Sequence, residues 1–171
     1  MASIRKLRAD DDRSSFTSGD EDLDRFFRKY AAKNQIDLYI GTTYVFEEAG
    51  RIQGFATVAA ATIQAEDFPS ARARSLPRYP LPALRLARLA VDKARRDRGV
   101  GTNLLRYVFA LALEMSQRIG CVGVVVDAKP SAAEFYSQFG FRPSQVVRGQ
   151  VFARPELTPM ILSIDDIRHA T

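Results

Sequence analysis

Arg96, Arg98, Gly99 and Gly101 crowd into six consecutive positions, and together those residue types could hold an anion. They fall between an apolar, strand-like run ending at Asp92 and a long amphipathic helix expected to open at about Thr102. A strand, a glycine-bearing turn and a helix N-terminus make a cradle. Glycine lets the backbone approach a ligand closely, successive N–H groups point inward, and the helix dipole adds partial positive charge. The arginines beside it suit a pyrophosphate or a chain of phosphates. The pattern is not the dinucleotide fingerprint, which needs a third glycine and a downstream acid. Nor is it the phosphate loop that closes on Gly-Lys-Ser/Thr. A Gly-x-Gly before a helix is also a common tight turn, so the loop alone leaves both readings open.

A second pattern lies downstream. Ala132-x-x-Phe135-Tyr136 is followed by Phe139-Gly140-Phe141, in the right order and at the right separation from Arg96-x-x-Gly99-x-Gly101. Together these motifs, spread over residues 43–141, resemble the GNAT acyl-CoA N-acetyltransferase superfamily. The resemblance implies an α/β single-domain fold over residues 1–171. Its centre would be a mixed, mostly antiparallel twisted sheet flanked by helices, with a splayed parallel strand pair forming the acyl-CoA cleft. It also implies acetyl-CoA as acyl donor, with the pyrophosphate held by Arg96, Arg98, Gly99, Val100, Gly101 and Thr102. Leu89, Ala90 and Val91 would pair with the pantetheine arm, and Ser131 and Phe135 would add further contacts. Tyr136 would protonate the departing thiolate. Many members carry an Asn seven residues before that tyrosine, whereas this chain has Lys129 followed by Pro130.

PRYPLPALRLARLAVD, preceded near the N-terminus by FTSGDEDLDRFFRKYAAKNQ, is similar to the TacT-like GNAT toxins of toxin–antitoxin pairs. That narrower resemblance implies acetylation of the α-amino group of aminoacyl-tRNA, a block of translation, a ribbon-helix-helix antitoxin as partner and a homodimer. The alternative is a housekeeping enzyme acetylating a small amine or a protein N-terminus, and a third is a non-catalytic acyl-CoA-binding module.

Bulk properties narrow the field. At 171 residues and 46% hydrophobic, the chain can bury a substantial core as one domain. Its apolar runs fall short of the ~20 residues of a membrane span, and MASIRKLRADDD lacks the apolar centre of a signal peptide. The expectation is a cytoplasmic protein without a membrane partner. One cysteine, Cys121, excludes an internal disulfide, and in its strand-like setting reads as a buried small hydrophobe. With a single His, His169, placed in a tail expected to fray, no His-based metal site and no serine triad can be assembled. Lys and Arg exceed Asp and Glu by 25 to 20, which permits a nucleic acid partner but equally a solvated basic face.

Positioning elements follow from periodicity. Residues 4–7 suit an edge strand, and Ser18 to Glu21 read as a capping box. Leu23, Phe26, Phe27, Tyr30 and Ala31 make one apolar helical stripe, ending near Asn34. Residues 38–47 and 51–61 suit a hairpin turning at Glu48-Ala49-Gly50. Gly54 is expected where a ligand or helix comes close. Residues 62–83, with Pro69, Pro77, Pro80 and Pro82, read as irregular, with a helical turn over 70–75. Arg72, Arg74 and Arg78 beside Tyr79 suit an RNA end, as does Arg88, although a stiff connector explains the prolines equally well. A core-facing helix to Ile119, a buried strand over 122–127, a short helix over 131–139 and closing strands over 146–152 and 160–164 complete the pattern.

Acyl transfer to an amine needs both reactants held together, a donor for the developing oxyanion and a proton for the thiolate. Backbone N–H groups of Leu89 to Val91 could serve as that donor. A phenol, with an ordinary pKa near ~10, stays protonated at neutral pH. The run Leu84 to Val91 contains no acid. That favours an amine already largely neutral, such as an α-amino group near ~8, over a lysine near ~10.4. Glu47, Glu48 and Asp92 are the acids able to change that conclusion.

Overall fold

The computed structural model describes residues 1–144 and 157–170. In chain order its first elements are β1 (Ser3–Lys6), α1 (Glu21–Lys29), α2 (Ala31–Ile36), β2 (Thr42–Glu48), β3 (Arg51–Ile63) and α3 (Ser70–Ala73). Then come β4 (Leu81–Val91), α4 (Val100–Arg118), β5 (Gly123–Ala128), α5 (Pro130–Gln138), β6 (Arg142–Pro143), β7 (Thr158–Ser163) and α6 (Ile164–Ala170). The described strands run in the order β1-β2-β3-β4-β5-β7-β6, mostly antiparallel, with β4 and β5 the parallel pair. The expected α/β architecture is therefore present. The expected strand over 146–152 lies outside the described residues.

Two compact units divide the chain: Met1–Ala59 with Leu86–Ala110, and Ala60–Arg85 with Leu111–Thr171. In the first, β2 and β3 are joined by Ala49 (φ 53°) and Gly50 (φ 74°), the two left-handed residues of a tight hairpin. Strand β2 begins at Thr42 rather than at Leu38, because the chain from Leu38 to Ile40 winds back on the end of α2. Phe16, Phe26, Phe27, Val45, Phe55 and Ala90 form this unit's core, with Phe27 stacked on Phe55 at 4.3 Å. Burying rings of this size is the unit's main source of stability.

Helix α1 is capped by Asp20, not by the Ser18 box. The Asp20 carboxylate accepts from the N–H groups of Asp22 and Leu23, while the Ser18 hydroxyl turns to the buried Asp24 at 2.7 Å. The apolar stripe also breaks at Tyr30, which is exposed between α1 and α2. Gly54 behaves as expected. A Cβ there would stand 2.7 Å from Val100 Cγ1 and 3.0 Å from Leu104 Cδ1, so glycine admits the first turn of α4.

In the second unit Ile63, Ala65, Phe68, Leu81, Ala83, Val125 and Ile161 form the core. Strand β5 pairs with β7 from Gly123↔Ser163 to Ala128↔Thr158. The irregular stretch is shorter than expected, since β3 reaches Ile63 and β4 starts at Leu81. Pro82 lies inside β4: it lacks an N–H, yet its carbonyl still accepts from Val122 N–H at 2.8 Å, and one lost donor near a strand's start is tolerated. Ile119 falls past the last turn of α4 and is exposed, where helical spacing placed it on the core face. His169 belongs to helix α6 rather than to a frayed tail.

Candidate active site

The first unit builds the anion cradle. Helix α4 opens at Val100, two residues earlier than expected, so Gly101 and Thr102 lie in its first turn. The first intrahelical bond is Asn103 N–H to Gly99 carbonyl at 3.0 Å. The N–H groups of Val100, Gly101 and Thr102 therefore have no acceptor within the helix. Ahead of them the chain turns through Asp97 (φ 64°) and Gly99 (φ 80°), a reversal that gathers donors at one point. Arg96, Arg98 and Gly99 are exposed. Free donors, a helix dipole and two guanidinium groups suit a pyrophosphate, so the residues present fit the coenzyme's anionic end.

The loop is not held by its own sequence. Lys93 N–H donates to Thr17 carbonyl at 2.9 Å, and Arg96 Nη2 donates to Ser18 carbonyl. The Asp92 carboxylate accepts from Thr17 N–H at 3.3 Å and Ala94 N–H at 2.9 Å, while Asp92 N–H donates to Gln53 carbonyl at 2.8 Å. Segment 16–19 thus braces the cradle, and Asp24 in turn fixes that segment through Ser18 N–H at 2.9 Å. Thr17, Ser18 and Asp24 carry no local pattern announcing this role. A Cβ on Gly19 would come to 3.0 Å from Arg96 Nη2, which is the one hint that glycine there serves the strut.

The second unit presents Tyr136. It sits on α5, which follows β5 through Lys129, with Pro130 at the first helical position and its missing N–H costing nothing there. Gly140 (φ 95°) ends the helix, and Phe141 N–H returns to Tyr136 carbonyl at 3.2 Å. Tyr136 is buried, with its ring edge-on to Phe135 at 5.3 Å and to Phe141 at 5.4 Å. Burial pushes its phenol well above the ordinary range, because a phenolate would lose its hydration. The group therefore remains a proton donor at every physiological pH. Ser131 is exposed at the start of the same helix and Phe135 is half-buried.

The remaining candidates differ in exposure and pairing. Leu89 and Val91 are half-buried in β4 and Ala90 is buried. Arg88 lies 3.7 Å above the Phe26 ring, where burial makes its charged form costlier. Arg72 is paired with Asp165 at 2.8 Å, Arg78 stands 3.6 Å from Glu66, and Arg74 is exposed. Of the acids, Glu47 is paired with Arg5 at 3.1 Å, which lowers its carboxyl below the usual range. Asp92 is spent on backbone N–H groups. Cys121 is buried and its thiol raised by desolvation, the opposite of an activated nucleophile.

Comparison with known proteins gives the family and the fold. Residues 40–143 match the model of the acetyltransferase (GNAT) domain. A tRNA-acetylating toxin of Mycobacterium tuberculosis (strain ATCC 25618 / H37Rv) is 34% identical over 143 residues, 82% of this chain and 84% of that protein. The structure of AtaT complexed with acetyl-methionyl-tRNAfMet superposes with a TM-score of 0.85 at 22% identity, covering 99% of this chain and 98% of that one. AtaT toxin bound to the C-terminus of the antitoxin AtaR gives 0.77 at 20% identity, over 98% and 96%. A helix N-terminus with free donors, a buried tyrosine after β5 and the matched family model lead to one assignment: the chain belongs to the GNAT acetyltransferase family.

Proposed function

We propose that this chain, one acetyltransferase domain over residues 1–171, moves the acetyl group of acetyl-CoA to the α-amino group of aminoacyl-tRNA and so blocks translation, with a ribbon-helix-helix antitoxin as its partner. The observation that carries the reading is the bare first turn of α4, where Val100, Gly101 and Thr102 N–H groups stand without intrahelical acceptors beside Arg96 and Arg98. The 34% identity to a tRNA-acetylating toxin supports the choice of acceptor.

Acetyl-CoA supplies an activated acyl group on sulfur. The residues of the chain do the rest. Val100, Gly101 and Thr102 donate to the pyrophosphate, and Arg98 neutralises it. Arg96 contributes mainly by anchoring the loop to Ser18. Leu89, Ala90 and Val91 align the pantetheine arm along β4, and Ser131 and Phe135 flank its far end. Tyr136 holds a proton at Oη and gives it to the sulfur as the C–S bond breaks, and the proton that the nitrogen sheds on forming the amide restores the phenol by way of solvent. A phenol whose pKa is raised stays protonated until the moment it is needed.

The run Leu84–Val91 contains no acid, and of the three acids named above Glu47 and Asp92 are committed elsewhere, which leaves Glu48, the last residue of β2, as the one whose replacement tests this step. The acceptor is accordingly an amine that is largely neutral at working pH, as an α-amino group on an ester is. Of the arginines proposed to meet the substrate, Arg74 and Arg78 are exposed, whereas Arg72 is held by Asp165 and Arg88 lies over the Phe26 ring.

The test is direct. The protein is incubated with acetyl-CoA and either a mixed pool of charged tRNA, a lysine-bearing peptide, or a small primary amine, and the products are weighed by mass spectrometry. Acetylated aminoacyl ends, with the other two acceptors much slower, are expected. Faster transfer to the peptide or the amine would overturn the choice of acceptor and leave the donor site standing.

A further inference from the structure

Five of the eight exposed large hydrophobic residues among those described fall within one stretch of the first unit: Tyr30, Ile36, Leu38, Tyr39 and Ile40. The stretch is not a loose end. Asp37 and Leu38 N–H groups both donate to Lys33 carbonyl, at 3.0 and 3.1 Å, and Ile40 N–H donates to Asn34 carbonyl at 3.1 Å. These bonds fold the chain back on α2 and hold the apolar side chains outward as a ridge. At its crest Tyr39 adopts φ 58° and is 85% exposed. A bulky residue at a left-handed position is uncommon, since Gly or Asn adopts it more easily. Here the large ring is both conformationally unfavourable and unburied, so neither packing nor backbone preference accounts for it.

Charge and area decide what covers the ridge. From Arg25 to Ile40 the chain carries Arg25, Arg28, Lys29 and Lys33 against the single acid Asp37. Arg25 is already paired with Asp22, and Arg28 donates to Phe16 carbonyl, which leaves Lys29 and Lys33 as exposed cations in the same stretch of chain. A second copy of the chain is a poor fit. A two-fold contact would set this basic flank on itself. The five side chains, between 43% and 85% exposed, also offer on the order of 500 Å², short of the ~800 Å² per partner of a standard interface. Nucleic acid would meet the lysines and the tyrosines but leave Ile36, Leu38 and Ile40 unused.

We propose that the ridge from Tyr30 to Ile40 docks a short amphipathic segment of a different polypeptide, with an aliphatic face against Ile36, Leu38, Tyr39 and Ile40 and acidic flanks against Lys29 and Lys33. None of these residues is among those assigned to acyl transfer, and the proposal stands whatever the acceptor amine proves to be.

The probe is a pair of helix-forming peptides of about 15 residues sharing one Leu/Ile face, one flanked by Glu and the other by Lys. Binding to the full chain is read by fluorescence anisotropy and by amide NMR shifts. The Glu-flanked peptide is expected to bind, to weaken with added salt and to shift amides within 28–41. Leu38→Ser is expected to weaken it about tenfold or more, and Lys29→Glu with Lys33→Glu to reverse the preference towards the Lys-flanked peptide. Acetyl-CoA affinity, measured on the same variants, is expected to stay unchanged and shows that they fold. Equal binding of the two peptides, shifts elsewhere, or no binding at all would overturn the proposal. So would self-association abolished by Leu38→Ser, or displacement of the peptide by single-stranded RNA at the same amides.

Discussion

In the function proposed above, the loop after β4 and the helix after β5 carry the two halves of the chemistry in opposite ways. In that reading the loop acts through backbone groups of the first turn of α4, on the buried Val100 and the half-buried Gly101 and Thr102, shaped by the positive φ of Asp97 and Gly99 and braced from segment 16–19. Helix α5 acts through a side chain buried among Phe135 and Phe141. Gripping a multiply charged ligand needs several donors that water can leave, and first-turn N–H groups supply them without side-chain entropy. Holding a proton at neutral pH needs the reverse, a site where a charge is costly. One function therefore tolerates most side-chain changes that spare the backbone, and the other is concentrated in one oxygen.

That contrast predicts a ranked set of effects. Tyr136→Phe removes one hydroxyl and conserves the ring, so turnover should fall by ~10²–10⁴ while acetyl-CoA affinity and melting temperature hold. Steady-state kinetics beside calorimetric binding checks both. Gly101→Glu should act the other way, weakening acetyl-CoA binding by ~10–100-fold, about 1.4–2.8 kcal/mol. An acid in a helix's first turn favours the helix dipole, so the fold should be no less stable, and loss of binding without loss of stability is the diagnostic pair.

Smaller effects sharpen the same contrast. Gly99→Ala places a side chain at φ 80°, with nothing nearer than Asn103 Nδ2 at 4.0 Å, so its cost is conformational, about 1 kcal/mol in urea unfolding. The smallest effect concerns pH. Because burial raises the Tyr136 phenol, turnover should show no downward limb from this group between pH 7 and 10. Stability should decline above ~10, where the unfolded phenol ionises first and the unfolded state binds fewer protons. Unfolding midpoints measured across that range test the sign.

Local periodicity revealed the elements that carry the site. The span of α4, the hairpin at Ala49-Gly50 and the helix bearing Tyr136 all follow from hydrophobic spacing, Gly and Pro. What spacing could not reveal depends on partners far along the chain. Thr17 and Ser18 meet Asp92, Lys93 and Arg96 some 75–78 positions later, so the brace of the cradle has no local signature. The same limit explains α1, where Ser18 has the capping chemistry but Asp24 takes its hydroxyl and leaves the cap to Asp20. Pro82 misled because only one of its two backbone hydrogen-bonding groups is missing. Ile119 misled because its spacing continues the helical phase, whereas α4 ends at Arg118 and the chain turns away through Gly120 (φ 106°) directly after it.

The central claim is that gripping the donor and protonating the leaving group are separate tasks of separate elements. Titration of acetyl-CoA into the wild-type chain, Gly101→Glu and Tyr136→Phe under one condition, with single-turnover transfer measured on each, tests it most directly. Gly101→Glu is expected to lose affinity and regain transfer at saturating donor, whereas Tyr136→Phe is expected to bind normally and transfer slowly at any donor concentration. Normal binding by Gly101→Glu, or full-speed transfer by Tyr136→Phe, would contradict it.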